Sequence, residues 1–488
     1  MTEISGVEFE RKINSKEKLF NDLIINIEKK ITLFTQDLNI ELKFKNVIFK
    51  GENLTFKDFE IENTPFNRFC IFEDCTFNCD VNFTDSTFKY LKFIACVIEN
   101  KFFQITNCKI NDLSFRENDT KINAIKPSMV KSGMIRIING RIKEILIENI
   151  VFLDGTLHIS SLNHTENCSI IRSTLCTIVI SHSIFSKYFN YFNNTSIEST
   201  QSLFNRCTFP VSSFAETTFN DKTHFTYCIF DKISSFQSIK NHIKGEFKFT
   251  DCDFHKFTDF DKSQINKLRL EKNKFHDFVS FQETNFNIVE IEKTSFEKGA
   301  FFDDIQIKKI DNCNRRTIRT IKQQLQKAEN KIDYNRFRVY EFNAYKDDIK
   351  NKLKEFEKDK NHLNRNSREL IQLKRDAFIL WISEIVSEYG TDWKRALKFT
   401  LFFGSILYFS FFVSENYMYK IELFNFENFT RFTSGFFRFF LVTDFFNPLD
   451  NDRTYLTNPL SWLIFIFGKI VIAFGIYEMV QSFRKFKA

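Results

Sequence analysis

The chain has 488 residues and a net charge of +7, with 65 Phe, 11 Cys, 12 Gly and only 5 Pro. Such a length accommodates roughly two to four domains. Scarce Gly and Pro exclude a disordered chain and a loop-rich enzyme, and an odd cysteine count without paired spacing excludes a disulfide framework. The charge is local: residues 315–395 hold 20 Lys+Arg against 13 Asp+Glu and carry the whole excess.

The opening MTEISGVEFERK has no apolar core of the kind a secretory signal needs, so a cytoplasmic start is expected. In KEKLFNDLIINIEKKITLF (residues 16–34), Leu19, Leu23, Ile27, Ile31 and Phe34 stand three or four apart. This spacing predicts an amphipathic helix within an N-terminal capping segment, 1–43, covering exposed strand edges.

From residue 44 the spacing changes. In CTFPVSSFAETTF, Phe209, Phe214 and Phe219 are five apart, and the beat recurs in blocks from Phe44 to Phe301. Helices repeat near 3.6 and half-buried strands near 2, so neither element explains it. Five residues suit one side of a square coil whose central large residue points inward, with a small inward residue two positions earlier. Four sides close a coil of roughly twenty residues, and about thirteen coils stacked ~4.8 Å apart give a rod of about 60 Å. The predicted core includes Phe209, Phe214, Phe219, Phe281, Phe286, Phe296 and Phe301, with Cys207 in the small slot. Several junctions slip by one residue (77 to 83, 219 to 225, 254 to 260, 275 to 281), resetting the register. Nine of the eleven cysteines fall two before a large apolar residue. That position reads as packing, and the spacing of Cys70, Cys75 and Cys79 fits the beat better than a zinc knuckle.

This pattern resembles the pentapeptide-repeat family in its Phe/Cys-rich form. The resemblance implies a mainly β fold, a right-handed quadrilateral β-helix over 44–312, with RENDTKINAIKPSMVKSGM (116–134) as an insertion.

Residues 313–392 predict a basic helical connector, its last helix stopped by Gly390. Its mixed Lys/Glu stretches read as solvated faces and not as a nucleic-acid surface, with anionic lipid headgroups the expected contact. Within 393–488, ALKFTLFFGSILYFSFFV (396–413) and LSWLIFIFGKIVIAFGIYEMV (460–480) are each long enough to cross a bilayer. Lys394, Arg395 and Lys398 precede the first, and Arg484, Lys485 and Lys487 follow the second. Both termini are therefore expected in the cytoplasm. FTSGFFRFFLVTDFF (432–446), between the spans, predicts a re-entrant or interfacial helix. The layout resembles the two-span ion-channel-like module found behind pentapeptide repeats in bacterial membrane proteins, which implies an inner-membrane location. The chain departs from a potassium filter: Thr443-Asp444-Phe445-Phe446-Asn447-Pro448 contains no glycine. Lys469 falls near the middle of the second span, where an ammonium is costly and marks a pore or a paired structural charge. Asp444, Arg438 and Glu478 are the other charges near this layer, and with Lys469 they are the candidate pore or membrane-charge residues.

No nucleotide-binding, hydrolase or metalloprotease motif appears, and the eight His are scattered. No catalytic, cofactor or metal residue is expected, and an enzyme is not. The favoured expectation is a binding or scaffold surface, with an unknown protein partner on the rod, tethered to the inner membrane. The alternative is an oligomeric nonselective pore or membrane effector, in stress or antiviral defence, gated through the rod. DNA mimicry on gyrase is the third reading, and a neutral rod argues against it.

Overall fold

A side chain that must point inward every fifth residue requires a corner between successive inward positions, and stacked corners leave strands that pair only with the next coil. The computed structural model describes residues 1–34, 41–57, 68–117, 127–193, 201–219, 221–242, 244–358, 367–419, 426–450 and 454–484. Its chain divides into two compact units, Met1–Ala328 and Glu329–Ala488.

The first unit is a parallel β-solenoid of about twelve turns. Four ladders line its interior, one for each side of the coil. Phe204, Phe225, Phe249, Leu270 and Ile291 form one. Phe209, Phe230, Phe254, Phe275 and Phe296 form the second, and Phe214, Phe236, Phe260, Phe281 and Phe302 the third. The fourth contains Phe219, Asn241, Ile265, Phe286 and Ile307. Along a ladder the strand spacing dictates ring geometry, as in Phe230 and Phe254, stacked at 4.4 Å with planes 2° apart. Rings from adjacent sides meet edge-on, as the quadrupole prefers: Phe209 and Phe214 lie 5.8 Å apart at 84°.

The later coils have 21 residues, in three five-residue steps and one of six (254 to 260, 275 to 281, 296 to 302). This extra step is the physical origin of the slips at 254 to 260 and 275 to 281, and it corrects one core assignment. Phe302, 1% exposed, takes the interior place and stacks on Phe281 at 5.0 Å. Phe301 pairs in register with Ser280, is only half-buried, and stacks on the exposed Phe278. Alternate corners use a residue in the left-handed region: Asp251, Lys262, Lys272, Glu283, Lys293 and Asp304 have φ between 50° and 57°. Such a conformation is costly for a side chain bearing a Cβ. Coil-to-coil hydrogen bonds offset the cost, as Lys262 N donates to Gln282 O at 3.0 Å.

The N-terminal cap differs from expectation. Residues 16–34 are not a helix: Leu19–Asn21, Leu23–Ile27 and Ile31–Phe34 are strands. Leu23, Ile25 and Ile27 point inward at period two, and Asp22 turns a corner at φ 54°. Leu23 and Ile27 satisfy the helical and the strand period alike, and the β-branched Ile24-Ile25-Asn26-Ile27 run favours the strand. The solenoid therefore begins before residue 44, with Phe20 paired to Phe44 and Ile25 to Phe49. The capping helix is α1, Gly6–Asn14, opened by Ser5 Oγ, which accepts from Glu8 N at 3.2 Å. It buries Phe9 against Phe20, Phe44 and Phe49.

At the other end α2, Arg315–Lys327, closes the solenoid and belongs to its unit rather than to a connector. Ile318, Ile321 and Leu325 are buried, Thr317 Oγ1 accepts from Ile291 N at 2.8 Å, and Gln324 Oε1 accepts from Ala300 N at 3.3 Å. These bonds satisfy donors the final coil would leave open. Of the expected insertion at 116–134, residues 118–126 lie outside the described residues, and 128–134 belong to the strand Ser128–Ile138.

The second unit is helical: α3 (Lys331–Lys358), α4 (Ser367–Ser387), α5 (Trp393–Tyr419), α6 (Phe426–Phe440) and α7 (Pro459–Arg484). α4 ends where Glu388, Tyr389 and Gly390 all take positive φ. Two helical stretches, Trp393–Glu415 and Pro459–Phe483, are long and apolar enough to span a membrane. They run antiparallel: Gly475 packs on Thr400 near one end, and Ser461 Oγ lies 2.9 Å from Ser414 Oγ near the other.

Candidate functional site

The charges singled out in the sequence resolve into two places. α6 is wedged against α5 and α7 through glycines. A Cβ on Gly404 would meet Phe440 at 2.4 Å, one on Gly468 would meet Phe439 at 2.5 Å, and one on Gly435 would meet Tyr408 Oη at 2.7 Å. Close approach through small residues is how helices pack where no water drives them together. It leaves the last carbonyls of α6 buried against α7, where they need donors.

Lys469 supplies them. It is 4% exposed, and its Nζ donates to Leu441 O at 2.5 Å and Arg438 O at 3.2 Å. Phe465 lies beneath the ammonium at 4.7 Å and Phe439 at 5.7 Å. A cation at a helix C-terminus also complements the macrodipole. Arg438 folds over the following turn, where Nη1 donates to Asp450 O at 2.6 Å and Nε approaches Asp444 Oδ2 at 3.5 Å. Arg431 donates to Leu449 O. Three cations thus hold the backbone carbonyls of Arg438, Leu441, Leu449 and Asp450. Lys469 and Asp444 are joined through Arg438, the lysine on its carbonyl and the carboxylate near its guanidinium.

Glu478 does not join them. It is buried near the other end of α7, where Oε2 accepts from Ser387 Oγ at 2.5 Å, and Ser387 Oγ in turn accepts from Gly390 N at 2.8 Å. It fastens the end of α4 to α7. Sequence reasoning missed Glu415, 1% exposed, whose Oε1 has no hydrogen-bond partner among the described residues. It lies two residues past the apolar run, where only the helix's extension reveals its burial.

In the solenoid, Cys207 is buried in the small slot beside Phe209, as read from the sequence. The slot also has a bonding role that the packing argument did not show. Cys207 Sγ faces Ile180 O at 3.4 Å, one coil back, and Cys228 Sγ faces Phe204 O at 3.5 Å. Ser263, Thr284 and Asn273 make the same bond from the same slot, at 3.0, 2.9 and 3.1 Å. Burial pushes the Cys70 and Cys168 thiols up from their ordinary value, so these are packing groups and not nucleophiles.

Two outward features stand apart from the core. Gln264, Asn266, Asn285, Asn287, Gln306 and Lys308 line a groove of about 590 Å³ that reaches in to Asn241, Ile265 and Phe286 of the fourth ladder. Amide side chains link its coils, with Asn287 Nδ2 donating to Asn266 Oδ1 at 2.9 Å and Asn266 Nδ2 to Gly245 O at 2.9 Å. On another side, His255 and His276 meet edge-on from successive coils, with ring centroids 5.5 Å apart and planes at 64°, among Asp231, Asp253 and Glu297. Glu297, and after it Asp253, hold the His276 imidazole above its ordinary value. In the sequence these His look scattered. Their separation of 21 residues is one coil, and that signal would have found them.

The chain matches no family model, and no curated protein or solved structure matches it significantly.

Proposed function

We propose that the protein is a non-enzymatic, membrane-anchored binding or scaffold protein, in which α5 and α7 tether the solenoid unit to a bilayer. The five-residue beat and the small slot before it remain its resemblance to the pentapeptide-repeat family, and with it comes the reading of a bacterial inner-membrane protein.

The observation that carries the proposal is the engagement of Lys469, Arg438 and Arg431. Carbonyls on either side of residues 443–447, those of Leu441, Leu449 and Asp450, are held by the protein's own cations and not offered to a permeant ion as a filter would offer them. Only 33% of each span's most apolar window is buried, so most of that surface faces outward, as it would towards lipid. Trp393 stands at the start of one span and Trp462 near the start of the other, at opposite ends of the antiparallel pair. This suits interfacial aromatic anchors. α6 exposes Phe426, Phe429 and Phe437, in keeping with an interfacial helix. Lys374, Arg375, Lys394 and Lys398 are exposed on α4 and the start of α5, available to anionic headgroups. The amide groove is the expected place for a polar partner on the solenoid.

Ion flux through liposomes containing the full chain tests this reading against a pore. The anchor predicts no flux above empty liposomes. It also predicts that Lys469→Leu, by orphaning two buried carbonyls, destabilises the protein by about 1–3 kcal/mol in thermal unfolding in detergent. Flux that Lys469→Leu abolishes, with unfolding unchanged, would make Lys469 a pore residue and overturn the proposal.

A further inference from the structure

We propose that Asp253, His255 and His276 form a three-ligand site for a divalent transition metal, with zinc the expected occupant, on the outer surface of the solenoid. One ligand atom from each of these residues lies within 4.8 Å of the others. His276 Nε2 is 2.7 Å from Asp253 Oδ1, and His255 Nε2 is 3.8 Å from Asp253 Oδ2. Ligands at zinc–nitrogen and zinc–oxygen bond lengths in a tetrahedral set stand about 3.4 Å apart. The two histidine–aspartate separations, one to each oxygen of Asp253, bracket that value, and side-chain rotation would bring one oxygen and both imidazole nitrogens onto a common ion.

The second observation is what holds the two rings. Each imidazole turns its Nε2 towards Asp253, and each has a carboxylate at its Nδ1. His255 Nδ1 is 3.3 Å from Asp231 Oδ1, and His276 Nδ1 is 3.0 Å from Glu297 Oε1. A carboxylate behind each histidine fixes the tautomer that leaves Nε2 free as a ligand and raises its basicity, the usual outer shell of a metal-bound imidazole.

The solenoid creates this arrangement by repetition. Asp231, His255, His276 and Glu297 each directly follow a rung of one ladder, Phe230, Phe254, Phe275 and Phe296. They stand one above another on four successive coils, and Asp253 projects beside them from the residue before Phe254. The ligands belong to two adjacent coils and the supporting carboxylates to the coils on either side, so a bound ion clips neighbouring turns together. All five side chains are partly or largely exposed, which leaves the remaining coordination position open to water or to a partner's side chain. Imidazole and carboxylate donors together favour zinc, copper or nickel over calcium and magnesium.

The test is calorimetric titration of the chelator-stripped, full-length protein in detergent with Zn²⁺, and with Co²⁺ as a spectroscopic probe. One saturable equivalent is expected, with cobalt giving ligand-field bands and no thiolate-to-metal charge-transfer band. His276→Gln and, separately, Asp253→Asn should lose that equivalent, while Asp231→Asn and Glu297→Gln should weaken it about 10-fold or more. Thermal unfolding of each metal-free variant, compared with metal-free wild type, establishes that the solenoid is intact. Absence of a saturable equivalent would overturn the proposal. So would its retention in folded His276→Gln and Asp253→Asn, or a cobalt spectrum showing cysteine ligation.

Discussion

The small slot two residues before an inward side chain holds Cys at 207 and 228, Ser at 263, Asn at 273 and Thr at 284, and each places a donor against a carbonyl of the preceding coil, while apolar residues such as Val279 and Ala300 fill it elsewhere. This explains why the donor-bearing residues, of different chemistry, are interchangeable there: each is small, and each can satisfy a corner carbonyl. Cys207→Ser should therefore change stability by less than about 1 kcal/mol, whereas Cys207→Leu should cost about 1–3 kcal/mol by overpacking. Chemical denaturation of the purified variants checks both. The same burial governs reactivity. Cys176 alone among the eleven cysteines is not fully buried, so brief native-state alkylation should label it ahead of the others. Comparable labelling of Cys207 or Cys228 would contradict the packed interior. Lys469 illustrates the reverse case, a charge that looks chemical in the sequence and in the fold terminates a helix.

At the scale of the element, the coil is the cooperative unit, since each turn touches only its neighbours. Phe302→Ala removes a ring stacked in the interior beside the capping helix α2 and should cost about 3–5 kcal/mol. Phe301→Ala removes a half-buried ring and should cost about 1 kcal/mol. Denaturant midpoints of the two variants measure the difference, and equal losses would refute the six-residue step. The beat from Phe44 to Phe296 was legible because inward positions tolerate almost nothing but large apolar side chains. The final slip was not, because Phe301 and Phe302 are adjacent and identical, so composition cannot say which turns inward. The N-terminal strands were misread for a related reason: Leu23, Ile27 and Ile31 are spaced by four, which is both one helical turn and two strand repeats. α2 was legible as a helix, but its capping role depends on Thr317 and Gln324 meeting unpaired donors of the last coil. Of the charges in the helical unit, Lys469, Arg438 and Asp444 gather at the end of α6. Glu478 could not be separated from them without knowing that Ser387 lies beside it.

At the scale of the whole molecule, two units of different chemistry share one chain. The solenoid unit buries its apolar residues in its own ladders and is closed at both ends by helices. The helical unit does the opposite, leaving Leu401, Phe402, Phe409, Leu463, Phe467 and Ile470 exposed along two long helices. A surface of that kind is unfavourable in water and is satisfied by lipid. Under the proposed function, binding by the solenoid and anchoring by the hairpin are separable properties, and substitutions in the ladders should leave membrane attachment intact. The central claim is that α5 and α7 span a bilayer, and alkaline carbonate extraction of membranes from cells making the full chain tests it most directly. The protein is expected to stay with the membrane pellet, as integral proteins do, and its release into the supernatant would rule out the two spans.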